Sequence, residues 1–142
     1  MVLTYVNPAG VAAPPPPHVY PHGIRYGDLL FISGQVAFDA AGRTVGVGDP
    51  RAQAEQAYDN IKAVCEEAGG SIQDVVKITV LLSDIRHADD ELAVRLTHFP
   101  EGRFPTCTMV QVANLGLPEL LMEIEAVAVI GSSSTAAVGS HT

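Results

Sequence analysis

The segment that most restricts what this chain can fold into is Met122–Ile130, MEIEAVAVI. Successive side chains of a strand point to opposite faces. Met122, Ile124, Ala126, Ala128 and Ile130 therefore share one apolar face, while Glu123, Glu125, Val127 and Val129 share the other. Charged groups are seldom buried without a partner, so the second face starts at a wet cleft and ends in packing. A carboxylate pair inside so apolar a run suggests a site; the plain alternative is two solvated glutamates near a sheet edge. The run before it, from Arg103 through Phe104-Pro105-Thr106-Cys107-Thr108 to Gln111, reads as a neighbouring strand. That neighbour would set Cys107, Met109 or Gln111 beside the glutamates.

Size and charge narrow the function classes. A chain of 142 residues with 47% hydrophobic residues builds one core, hence one domain. Its 16 acidic residues outnumber 8 scattered basic ones, a formal charge of -8 that offers a phosphate backbone no footprint. Nucleic acid is thus excluded as a partner. No apolar run approaches the roughly 20 residues that span a bilayer, and no signal-peptide order is visible at the start, so the expectation is a cytoplasmic protein without a membrane partner. Cys65 and Cys107 match no metal-binding spacing, and no disulfide is expected in a reducing compartment. His18 and His22 are four apart, but Pro21 forbids the helix that would align them as ligands. No metal is expected.

Local signals divide the chain further. Pro14–Pro17 is a polyproline run within an expected N-terminal arm, residues 1–19, and residues 131–142 form a small, polar tail expected to be disordered. Between them, residues 20–130 form the single domain. Leu29–Val36 reads as a short strand, followed by a glycine-punctuated turn or hairpin from Asp39 to Gly48. Asp49-Pro50 starts a helix that runs to about Ala68 on Ala54, Ala57, Tyr58, Ile61, Val64 and Cys65, and Gly69-Gly70 stops it. Val75–Leu82 is a strand with Lys77 and Thr79 interrupting one face. A second helix spans about His87 to Phe99, with Leu92, Val94, Leu96 and Phe99 as its apolar positions and Asp89, Asp90 and Glu91 suiting its N-terminal dipole. His87 and His98 read as surface residues, Tyr26 and Tyr58 as packing residues. The order of elements argues for an α+β fold, a mixed sheet with two helices packed on one face. The other face then needs cover, which oligomerisation supplies.

The segments YPHGIRYGDLLFISGQV, AQAEQAYDNIKAVCEEAGGSIQDVVKITVLLSD, FPTCTMVQV and MEIEAVAV together resemble the RidA/YjgF reactive-intermediate deaminases, sometimes labelled L-PSP endoribonucleases. The similarity spans about Tyr20 to Val129. It implies a chorismate-mutase-like fold, a homotrimer with its sheets facing inward, and clefts between subunits that take a small-molecule substrate. It also implies that Glu123 positions or activates water and that Tyr20, Ser33 and Gly34 line the same cleft, Gly34 permitting a close approach of backbone to ligand. Met109 is placed there too. Two departures stand out. Cys107 occupies the position of the arginine that holds the substrate carboxylate, and Leu92 that of an asparagine on the second helix. A thiol cannot reproduce the planar, charged, two-pronged grip of guanidinium. Arg103, four residues upstream, would reach the cleft only after a loop rearrangement.

The chemistry implied is hydrolysis of an enamine or imine. The enamine tautomerises to an imine, water attacks its carbon, and one carboxylate takes the water proton and returns it to the leaving amine. Burial and the neighbouring Glu125 would raise the pKa of Glu123 into a useful range. No metal or organic cofactor is needed. Three functions remain open: an enamine or imine hydrolase whose substrate choice Cys107 alters; a specialised biosynthetic or catabolic enzyme in which Cys107 takes part, as a nucleophile if its thiolate can form; and a non-catalytic trimer that binds a metabolite or a protein.

Overall fold

A computed structural model describes residues 1–134. Six strands form one mixed sheet: β1 (Leu3–Val6), β2 (Gly23–Tyr26), β3 (Leu29–Gln35), β4 (Val75–Leu82), β5 (Thr106–Gln111) and β6 (Met122–Val129), in the order β1-β2-β3-β6-β4-β5. All pairs are antiparallel except β4 with β5. Two helices, α1 (Pro50–Glu67) and α2 (Ala88–His98), pack on each other and share a single core with one face of the sheet. The α+β architecture expected from the element order is the one observed. Among the described residues no helix is long and apolar enough to cross a membrane.

The helix boundaries follow from their end chemistry. Asp49 caps α1 by accepting from the Ala52 N–H at 3.1 Å, and Pro50 occupies the first turn, where no amide hydrogen is missed. At the other end Gly69, with φ of 88°, and Gly70 return their N–H groups to Glu66 and Cys65, closing a Schellman motif. Cys65 is buried in the core beneath α1. For α2 the expected apolar set is only half right. Val94 and Phe99 are buried, but Leu92 and Leu96 are 41% and 51% exposed, and Glu91 is 0% exposed. The helix has turned a charged residue inward because partners wait for it there.

Two further departures concern the ends. The N-terminal segment is not simply an arm: residues 3–6 pair with β2 as an edge strand. Ser132–Ser134 forms a 3-10 turn held by Asp74, whose carboxylate accepts from the N–H groups of Gly131 and Ser133. The remainder of the expected tail lies outside the described residues.

Residues paired across strands share a face, so the register divides the sheet. Leu30, Ile32, Ile78, Val80, Ile124, Ala126 and Ala128 face the helices and are buried. The opposite face carries Leu3, Tyr5, Tyr26, Leu29 and Phe31, all substantially exposed, then Val127 and Val129, then Glu125 and Glu123. Tyr26 is therefore no packing residue within this chain. Lys77 and Thr79 interrupt that same open face, as the sequence suggested.

Candidate functional site

The open face ends in a cavity. Pro15, His18, Tyr20, Gly34, Val36, Phe38, Gly116, Leu117, Leu120 and Glu123 enclose about 310 Å³. Three sequence-predicted residues meet here: Tyr20, Gly34 and Glu123.

Glu123 owes its position to an irregularity in the neighbouring strand. Between Ile32 and Gln35 the β3/β6 register slips, three steps of β3 matching two of β6. The extra residue is a bulge, a device that bends a strand and re-aims a side chain. Gly34 sits in it, and its missing side chain is what admits the carboxyl: a Cβ there would lie 2.1 Å from Glu123 Oε1. The close approach that the sequence assigned to a ligand is thus made by the carboxylate itself. Burial raises the pKa of Glu123, and the charge of Glu125 raises it further.

The other walls are fixed by buried polar side chains that sequence reasoning missed. Gln53 on α1 donates to the carbonyls of Gly46 and Glu119 and accepts from the Leu121 N–H, which pins the loop carrying Leu117 and Leu120. Asn60, two turns on, donates to the carbonyls of Val36 and Phe38 at 3.2 Å. Their spacing was the available signal: two amides seven apart, in phase with the apolar stripe of α1. His22 holds the proline segment. Its Nε2 donates to the Ala12 carbonyl at 2.9 Å, its Nδ1 accepts from Gln35, and its backbone N–H reaches Asn7 Oδ1. Burial lowers its pKa against the opposing effect of that Ala12 bond, so the imidazole stands neutral in this role. Ser33 is not on the wall; its hydroxyl donates to the Pro21 carbonyl at 2.8 Å and so locates the residue after Tyr20.

Cys107 and Met109 are not brought to Glu123. β4 lies between β5 and β6, and Cys107 pairs with Ile78 on the helix side, whereas Glu123 pairs with Leu81 on the open side. Within one chain the two are on opposite faces of the sheet. The exposed thiol of Cys107 is pushed up in pKa by burial of its surroundings, partly countered by the Arg95 guanidinium hydrogen-bonded to it. Thiolate is disfavoured at neutrality. Met109 packs against the core, and Arg103 bonds the Ser133 carbonyl instead of turning toward the cavity.

Behind Cys107 is a buried polar cluster. Arg95 Nε and Nη2 grip Glu91 at 3.0 and 2.5 Å, and the Tyr58 hydroxyl donates to Glu91 at 2.5 Å. Tyr58 is buried, as expected, and its phenol pKa is raised by burial and then by the Glu91 charge. Among the described residues one set could offer three donors to a metal: Glu55, Asp59 and His98, whose ligand atoms lie within 4.8 Å of one another. It sits on the helices, apart from the cavity. His98 already donates to Glu55 and stacks on Tyr58, which makes it less of a surface residue than its sequence suggested.

The family model described as Endoribonuclease L-PSP matches residues 10–130. A RutC family protein of Pyrococcus abyssi is 36% identical over 116 residues, covering 82% of this chain and 90% of the relative. A 2-iminobutanoate/2-iminopropanoate deaminase of Dermatophagoides farinae is 32% identical over 120 residues, covering 83% and 91%. The crystal structure of RidA from an Antarctic Psychrobacter superposes with a TM-score of 0.82 at 34% identity, over 89% of this chain and 99% of that one.

Proposed function

The chain belongs to the endoribonuclease L-PSP family, the RidA/YjgF group, and from that premise we propose that it hydrolyses an enamine or imine in a cleft shared between subunits. The observation that carries this is the glutamate of raised pKa held against Gly34 in an apolar cavity with Tyr20. A base poised above the ordinary carboxylate range takes a proton from water and returns it to the departing amine more readily than an exposed one. Apolar walls from Val36, Phe38, Leu117 and Leu120 strengthen each electrostatic contact inside. The route runs without metal or organic cofactor.

A homotrimer with inward-facing sheets, in the chorismate-mutase-like arrangement, accounts for the exposed row Leu3, Tyr5, Tyr26, Leu29 and Phe31. It also supplies the only means by which Cys107 can meet Glu123: the thiol of one subunit against the carboxylate of the next. Met109 then serves the cleft only through its strand. The raised pKa of Cys107 favours a wall residue over a nucleophile. Substrate choice therefore shifts away from a small imine gripped by an arginine at this position, toward one that is neutral or larger. A small acidic chain of this composition, with two free cysteines, suits the cytoplasm.

The test is release of ammonia from enzymatically generated 2-aminoacrylate and from bulkier imines, with Glu123→Gln as the control that keeps shape and removes the base. Turnover that is lost in the variant supports the assignment. Turnover that is equal in the two proteins removes it.

A further inference from the structure

The outer wall of the Glu123 cavity comes from a segment with very little to hold it. Pro15 and His18 line the cavity, yet every residue from Pro15 to Val19 is exposed. The prolines from Pro14 to Pro17 bring no N–H groups, and the His18 N–H turns back to the Pro15 carbonyl. Among the described residues, one hydrogen bond joins residues 12–20 to the rest of the chain, from His22 Nε2 to the Ala12 carbonyl at 2.9 Å. The flanks are secured separately. Before the segment, Val11 is buried and Asn7 accepts from the His22 N–H; after it, Ser33 holds the Pro21 carbonyl.

That bond depends on which protons the imidazole carries. While Nε2 donates to Ala12, Nδ1 accepts from Gln35 Nε2 at 3.2 Å. The same Gln35 nitrogen donates to the Ser33 carbonyl at 3.0 Å, so turning the amide over would set oxygen against oxygen. A proton added at Nδ1 therefore meets a donor, in a site where His22 and Gln35 are 6% and 3% exposed. No carboxylate stands by to hold an imidazolium. Among the described residues, the cavities bordering His22 present two other titratable groups, His18 and Tyr20, both on the segment itself, and the uncharged amides of Asn7, Gln35 on β3 and Asn60 on α1. Burial lowers the His22 pKa from its ordinary 6.5. The contribution of the neutral ring is therefore complete above that value and is lost as pH falls through the folded-state value beneath it. We propose that neutral His22 is a positioning residue that latches residues 12–19 as the outer wall of the cavity, and that protonation releases Pro15 and His18 while Tyr20 and Glu123 stay in place.

The latch deepens the hydrolase reading and rests on it only where turnover is measured. In the isotope-labelled wild-type protein, the His22 ring and the Ala12 and Ala13 amide signals should titrate with one midpoint, below 6.5. Backbone relaxation should show residues 12–19 gaining fast motion beneath it. His22→Gln keeps one donor and one acceptor and cannot titrate, so its segment should stay ordered from about pH 7 to about pH 5. In imine hydrolysis, wild-type KM should rise by up to about tenfold per pH unit below the midpoint as the closed fraction falls, with no such rise in His22→Gln. The kcat, which Glu123 governs, should follow one pH profile in both proteins. A His22 ring still neutral at about pH 5, or segment signals unmoved while it titrates, overturns the latch without any variant. So does an equal pH dependence of order or KM in His22→Gln, or a midpoint that His18→Gln abolishes and His22→Gln retains. The hydrolase falls on a different result, turnover indifferent to Glu123→Gln, which leaves the titration and relaxation measurements standing.

Discussion

Replacing Gly34 with alanine is the most direct perturbation of the site, because its consequence can be worked from coordinates. The new Cβ would lie 2.1 Å from Glu123 Oε1, 2.8 Å from Cδ and 2.9 Å from Cγ. Ordinary contact begins near ~3.5 Å, so the carboxyl has to retreat by more than about 1 Å. All three atoms belong to the end of a flexible side chain, so the carboxyl moves and the sheet stays. Gly34 is not among the glycines with positive φ, and its backbone accepts a side chain. Stability should change by less than about 1 kcal/mol, since the alanine also lowers the entropy of the unfolded chain. Activity should not survive as well. Displacing a reacting group by about 1 Å costs on the order of 100-fold, close to 2.7 kcal/mol of barrier. The assay is kcat/KM for imine hydrolysis alongside a thermal melt. A Gly34→Ala protein that melts normally and turns over at the wild-type rate would refute the claim that this glycine seats the base.

Other outcomes follow from the same structure. The folded-state pKa of Glu123 is raised by burial and by Glu125. Between the ordinary glutamate value near 4.3 and that raised value the native chain keeps a proton that the unfolded chain has lost, so this group's contribution falls as pH rises through the window. Glu123→Gln should accordingly be more stable than wild type at neutral pH, and equal to it below about pH 4, by urea titration; a constant offset at all pH values would contradict the shift. Glu125→Gln should move the acidic limb of the kcat/KM profile to lower pH. Tyr58→Phe removes a donor from the fully buried Glu91 and should cost about 1–3 kcal/mol in denaturant unfolding. An unchanged midpoint would mean that Arg95 alone satisfies the carboxylate. Phe31→Asp on the open face should convert a trimer to monomers in light scattering with the far-UV spectrum retained; a wild-type chain that is already monomeric would undo the shared cleft.

Much of the fold was legible because the signals are local. The cap at Asp49-Pro50, the stop at Gly69-Gly70 and the alternation of Val75–Leu82 and Met122–Val129 each lie within a few residues of the structure they specify. Tyr20, Gly34 and Glu123 line one cavity, where Gly34 makes room for a carboxylate and not directly for a ligand. Glu91 was misread because three consecutive acids at a helix start look like a response to the dipole. Only the packing of α1 against α2 shows that one of them meets Tyr58 and Arg95.

The sequence by itself determined which residues alternate, where helices begin and stop, and that Glu123 and Glu125 share a face. It could not determine strand order, since pairing between segments tens of residues apart leaves no periodic trace in either. Placing β4 between β5 and β6 was a decision of the tertiary structure, and it put Cys107 and Glu123 on opposite faces of the sheet. The same is true of Gln53, Asn60 and His22. Their side chains are ordinary in the sequence and become structural only where folding delivers the carbonyls they bond, because a buried polar group must find a partner in space.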